Sequence, residues 1–124
     1  MKLLIFSVLV IVQYLMDRLT NTCATYKGEV LLFLHHIVAI YIYTGPFLFN
    51  PFYHLIFCIF LLIHWYTYEA CIITKWNNYY CGVNMNKPFR DYVRMLEIHK
   101  IYKHIQWVLI FVLIFYDVYL IWNK

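Results

Sequence analysis

Four long apolar stretches, at residues 2–19, 29–49, 51–76 and 105–122, take up most of this chain. A helix crossing a hydrocarbon core about 30 Å thick needs about 20 mostly apolar residues. Each stretch reaches or nearly reaches that length. Lipid is therefore the medium this sequence suits, and the expected fold is all-α: an integral membrane four-helix bundle.

The balance of residues excludes the soluble alternative. Of 124 residues, 65% are hydrophobic and 13% charged, about half the charged share of an ordinary globular domain. One four-helix unit fits this length, and a second domain does not. Aromatic residues are abundant, with 13 Tyr and 10 Phe against 3 Gly and 3 Pro. That skew points to an AT-rich genome such as that of a large DNA virus, and it carries a packing consequence. No glycine-based small-xxx-small pair lies in any span, so close backbone contact of that kind is not the expected mode of helix pairing. Interlocking aromatics are.

The first stretch has two readings. It is either the apolar core of a signal peptide cleaved after Ala24 or an uncleaved span. A single Lys before it, and Gln13, Asp17 and Arg18 behind it, favour the uncleaved helix. Gly45-Pro46 and Asn50-Pro51 disfavour continuous helix, so residues 45–51 are expected to form a tight hairpin turn. Residues 77–84 have loop chemistry. Pro88 then suits the first turn of a helix over about residues 88–103. There Phe89, Tyr92, Val93 and Leu96 recur at helical spacing between charged residues. This segment is too charged to cross, and it either lies in the interface plane or extends the last span.

Four crossings place both termini on one side. Eight of the ten basic residues fall with the loops on the other side: Arg18, Lys27, Lys75, Lys87, Arg90, Arg94, Lys100 and Lys103. Excess Lys and Arg mark the cytoplasmic face, so the termini are expected to be non-cytoplasmic. The net charge of +4 comes from this flank. It calls for no nucleic acid and suits anionic lipid headgroups. On this reading Cys23, Cys71 and Cys81 are free thiols in a reducing setting. With a cleaved leader they would meet an oxidising lumen, and Cys71 would pair with Cys81.

Ionisable side chains inside a span are costly and need a reason. Here they are His35, His36, His54, His64, Glu69 and Asp117. Hairpin register puts His54 near the depth of Ile42 and His64 level with His35, which makes His35 and His64 the best cross-helix pair. Facing imidazoles suit a b-type haem, for which His35, His54 and His64 are the candidates. Cys71 and His64 are the candidates for a transition metal, zinc or copper. With a carboxylate, the same histidines suit a proton relay. The plainest reading gives each His a carbonyl, hydroxyl or carboxylate partner that ties two helices together. Glu69 and Asp117, within about two turns of span ends, are expected to be solvated interfacial carboxylates. His99 and His104, among Arg94, Lys100 and Lys103, are expected on a solvated basic face. No nucleophile, phosphate-loop or HExxH signature is present, so no catalytic residue is nominated.

His35, Gly45, His54 and Cys71-Ile72-Ile73-Thr74 resemble the order seen in a family of small bacterial membrane proteins, domain of unknown function 2784. Small membrane proteins of large DNA viruses are similar too, with His64-Trp65 before the Cys. The resemblance covers residues 35–74. The chain departs from the bacterial family in lacking the Pro of its Cys-Pro-Leu-Thr element and in a shorter Gly-to-His interval. It implies four spans and nominates His35, His54 and Cys71, with no activity attached. Function is accordingly expected to be that of a structural or accessory membrane component, in a homo- or hetero-oligomer or alone. The rival is a haem- or metal-binding redox protein.

Overall fold

The computed structural model describes residues 1–20, 23, 25–68, 71–82 and 99–123. Among these the chain is helical and has no strand: α1 (Lys2–Thr20), α2 (Tyr26–Leu48), α3 (Pro51–Tyr68), α4 (Ile72–Tyr80) and α5 (His99–Trp122). Among the described residues, three segments are long and apolar enough to cross a membrane: Tyr26–Leu48, Pro51–Tyr68 and His104–Trp122.

Helix α2 is the hub. It packs against α1 and α4 on the one hand and α3 and α5 on the other, and α3 packs chiefly on α5. The apolar core is small, with Ile42, Leu61 and Ile110 at its centre. Large apolar side chains face outward instead: Leu4 is 68% exposed, Phe60 69% and Phe115 73%. In water so much apolar surface would drive aggregation. Against acyl chains it is the favoured state.

Residues 45–51 do not form the expected turn. Helix α2 runs through Gly45 and Pro46 to Leu48, and only Phe49 and Asn50 stand between it and α3. The residue before Pro51 is pushed out of the helical region. Asn50 Oδ1 then accepts the Phe52 N–H at 2.9 Å, and Pro51 takes the first helical position, where its missing N–H costs nothing. Pro46 is tolerated inside α2 for a reason that lies in the site below.

The third apolar stretch also divides. Helix α3 ends at Tyr68, whose carbonyl accepts from Lys75 Nζ at 3.1 Å, a cation at a helix C-terminus. Cys71 is extended and makes no side-chain cap, and α4 follows from Ile72. The proposed interfacial segment at 88–98 lies outside the described residues, as does Glu69. From His99 onward the backbone is part of α5, so residues 99–103 extend the last span.

Helix α4 closes onto the start of α2. Thr25 caps α2 by accepting the Gly28 N–H at 3.2 Å and donates to the Tyr80 carbonyl at 2.9 Å. Asn77 Nδ2 donates to the Gly28 carbonyl at 2.7 Å. A disulfide joins Cys23 to Cys81 across this contact. It lies so close to α2 that a Cβ on Gly28 would fall 2.2 Å from Cys23 Sγ, so only glycine fits there. The expectation of free thiols at Cys23 and Cys81 is thereby overturned. So is the Cys71–Cys81 pairing, since Cys71 carries a free thiol. The two bonded cysteines meet because α1 and α4 end at the same end of α2.

Candidate functional site

Among the described residues, buried ionisable groups gather in two places. The first lies on the α3–α5 seam where it meets the end of α2. Proline at position 46 has no N–H, so the carbonyl four residues earlier, that of Ile42, lacks its helical donor. His54 supplies one: its Nε2 lies 3.0 Å from Ile42 O. The ring reaches that carbonyl only because position 45 is glycine, where a Cβ would stand 2.0 Å from His54 Cδ2. Gly45 and Pro46 thus form a socket for one imidazole. Hairpin register places His54 at the depth of Ile42, and the contact shows it there.

The other ring nitrogen faces Asp117. His54 Nδ1 and Asp117 Oδ2 are 2.6 Å apart, with both side chains fully buried. A carbonyl only accepts, so Nε2 carries a hydrogen. Two lone pairs would repel at 2.6 Å, so the Nδ1–Oδ2 contact also holds a proton. The pair is either imidazolium with carboxylate or imidazole with carboxylic acid. Both forms are neutral overall, which is how this pair tolerates a setting without water. Cys58, one turn along α3 from His54, brings its thiol to 3.5 Å from Nε2 and 3.8 Å from Nδ1. It is a free, fully buried cysteine.

The second cluster joins α1 to α2. Asp17 and His36 are both buried, with Oδ2 and Nε2 2.9 Å apart. Tyr14 donates to Glu29 Oε2 at 2.8 Å, and Arg18 pairs with Glu29 Oε1. Charges that would bar α1 from lipid are thus matched at its end.

The nominated residues divide between these places and a third. His54 stands in the seam site. His35 lies beside the α1–α2 cluster, its ring edge-on to His36 at 5.7 Å. His64 sits where α3 meets α4: Nε2 accepts the Ile72 N–H at 3.3 Å, and the ring packs on Tyr68 at 4.8 Å. It thereby caps α4 in place of Cys71, which stands next to Ile72 with its thiol free. The residues that His54 does meet are Cys58 and Asp117.

Asp117 corrects the sequence reading. Expected to be a solvated interfacial carboxylate, it is fully buried against His54. Distance from the span end is a poor guide here, because α5 continues past Asp117 and packs on α3. The residue that Pro46 does signal is its partner, His54. A proline within a helix names its own orphan carbonyl four residues earlier, and a polar group must come to meet it. Cys58 is legible as a residue on the His54 face, four positions on.

No family model, no curated protein sequence and no solved structure matches this chain.

Proposed function

We propose that this chain is an integral membrane protein crossing the bilayer four times and serving as a structural or accessory component of that membrane. The supporting observation is a division of labour in its side chains. Apolar groups on α1, α3 and α5 face outward, while Asp17, His36, His54 and Asp117 turn inward onto one another. Such contacts tie helices together, each with about 0.6–2 kcal/mol.

Helix α1 is the fourth crossing in this proposal. Its 19 residues extend about 28 Å, Arg18 pairs with Glu29 and Asp17 with His36, and Leu3, Leu4, Val8, Val12 and Leu15 face outward. These contacts with α2 also favour α1 being retained rather than cleaved.

Orientation has two competing indications. The basic count puts the loop end in the cytoplasm, whereas a disulfide at that same end belongs in an oxidising compartment. We give the disulfide precedence, because three of the basic residues are engaged within the protein. Arg18 pairs with Glu29, Lys75 holds the Tyr68 carbonyl, and Lys27 lies over the Tyr80 ring at 5.3 Å. On this proposal the termini face the reducing side, and any contact with anionic headgroups falls to the remaining basic residues.

The haem reading has less support. Its three candidate ligands stand apart, His35 beside His36, His54 at the Ile42 carbonyl and His64 at the start of α4.

Membrane-impermeant labelling of single cysteines added at positions 2 and 123 tests this scheme in sealed vesicles. Four crossings put both labels on one side, opposite Cys23, and on this proposal that side is the reducing one. Labels on opposite sides would reduce the count to three, and extraction by alkaline carbonate without detergent would end the membrane reading.

A further inference from the structure

The α3–α5 seam contains more donor chemistry than a helix tie requires. Ligand atoms of His54, Cys58 and Asp117 all lie within 4.8 Å of one another, and all three residues are fully buried. A tie between α3 and α5 needs only the imidazole and the carboxylate.

We propose that His54, Cys58 and Asp117 form a buried binding site for a borderline-soft divalent transition metal of the zinc class, with one coordination position open to an exogenous ligand. The first argument is geometric. Tetrahedral zinc with bonds of about 2.0 Å to nitrogen and 2.3 Å to sulfur separates those atoms by about 3.5 Å. His54 Nδ1 and Cys58 Sγ are 3.8 Å apart, but Sγ is nearer still to Nε2, at 3.5 Å, so the thiol stands over the ring and must turn about its Cα–Cβ bond toward Asp117 to ligate a metal on Nδ1. Admitting the metal between Nδ1 and Asp117 Oδ2 means opening their 2.6 Å contact by about 0.7 Å, on the same bond lengths.

The second argument is the support around the histidine. A metal-bound imidazole donates its other N–H to a carbonyl or carboxylate, which fixes the tautomer. Ile42 O, freed by Pro46, does this for Nε2 and leaves Nδ1 as the ligand. The third is an orphan. Asp117 Oδ1 is buried and has no hydrogen-bond partner among the described residues, so one carboxylate oxygen at the site stands ready for a cation.

Charge supplies the fourth argument. Without metal, the His54–Asp117 pair with its shared proton is neutral, and so is the Cys58 thiol. Binding a divalent ion expels the shared proton and the thiol proton, leaving M²⁺ with one carboxylate, one thiolate and one neutral imidazole. The sum is zero before and after, so loading exchanges two protons for one metal ion without creating net charge among the helices. Calcium and magnesium prefer all-oxygen sites, whereas mixed imidazole, thiolate and carboxylate ligation suits zinc.

This site depends on the membrane reading only for its surroundings. Its test reads metal ligation rather than insertion, so either can fail without the other. The probe is Co²⁺, added to chelator-treated full-length protein in detergent without reductant. In a Cys71→Ser chain the Cys23–Cys81 bond remains, and Cys58 is the one free thiol. That chain is expected to take up one Co²⁺ with a thiolate-to-cobalt charge-transfer band and tetrahedral ligand-field bands, both displaced by Zn²⁺. Cys58→Ser removes the charge-transfer band and weakens affinity about 100-fold, and Asp117→Asn keeps the band and weakens affinity about tenfold. Absence of the band in the Cys71→Ser chain overturns the proposal. A band that disappears with Cys71→Ser and survives Cys58→Ser overturns it too, by moving the metal to Cys71 and His64. The Cys71→Ser spectrum is decisive by itself, so the test survives a Cys58→Ser chain that misfolds.

Discussion

The pairing of Pro46 with His54 makes a sharp energetic prediction. His54→Ala removes two interactions at once. It leaves Asp117 without its partner in a buried setting, which costs about 3–5 kcal/mol for an ion pair broken from one side. It also leaves the Ile42 carbonyl without a donor, at about 1–3 kcal/mol for a buried unsatisfied group. Pro46→Ala restores an N–H four residues after Ile42 and so repairs the second loss but not the first. In the Pro46→Ala background, His54→Ala is therefore expected to cost less by about 1–3 kcal/mol. The Asp117 term is common to both backgrounds and cancels. The measurement is a double-mutant cycle on unfolding by sodium dodecyl sulfate in mixed micelles, followed by far-ultraviolet circular dichroism. Additivity within about 0.3 kcal/mol would refute the reasoning, because Ile42 O would then be satisfied by something other than His54. A coupling of opposite sign would refute it as well.

Two further outcomes follow from the contacts. Asp117→Asn should be tolerated to within about 1 kcal/mol, because the amide N–H donates to His54 Nδ1, whereas Asp117→Leu strands that nitrogen and costs about 1–3 kcal/mol; the same micelle titration separates them. Cys23→Ser opens a bond between residues 58 positions apart and should destabilise the fold by about 2–4 kcal/mol, and a reductant should then no longer shift the melting curve.

How far the sequence carries can be read from particular residues. The apolar stretches mark α1, α2, α3 and α5 because lipid exposure imposes a long, simple hydrophobic signal. Breaks are harder to read. Gly45-Pro46 has the local chemistry of a turn, yet α2 passes through it because His54, from another helix, repairs the lost hydrogen bond. Asp117 is obscure for the same kind of reason: its partner is 63 positions away, and no local pattern announces so distant a contact. The expectation of free thiols fails at Cys23 and Cys81 because it rested on a count of basic residues, and no such count reports which sulfur atoms come together. The imidazole at 54 is legible as a residue in need of a partner, and its depth is legible from hairpin register. Its partner is not.

The bridge over Gly28 also orders events during synthesis. Cys81 emerges well before Asp117, so α2, α3 and α4 can be cinched into one covalent ring while α5 is still unmade. Until α5 docks, His54 Nδ1 is without the Asp117 carboxylate. Docking of that helix therefore supplies the one His54 partner that the ring of α2, α3 and α4 does not contain.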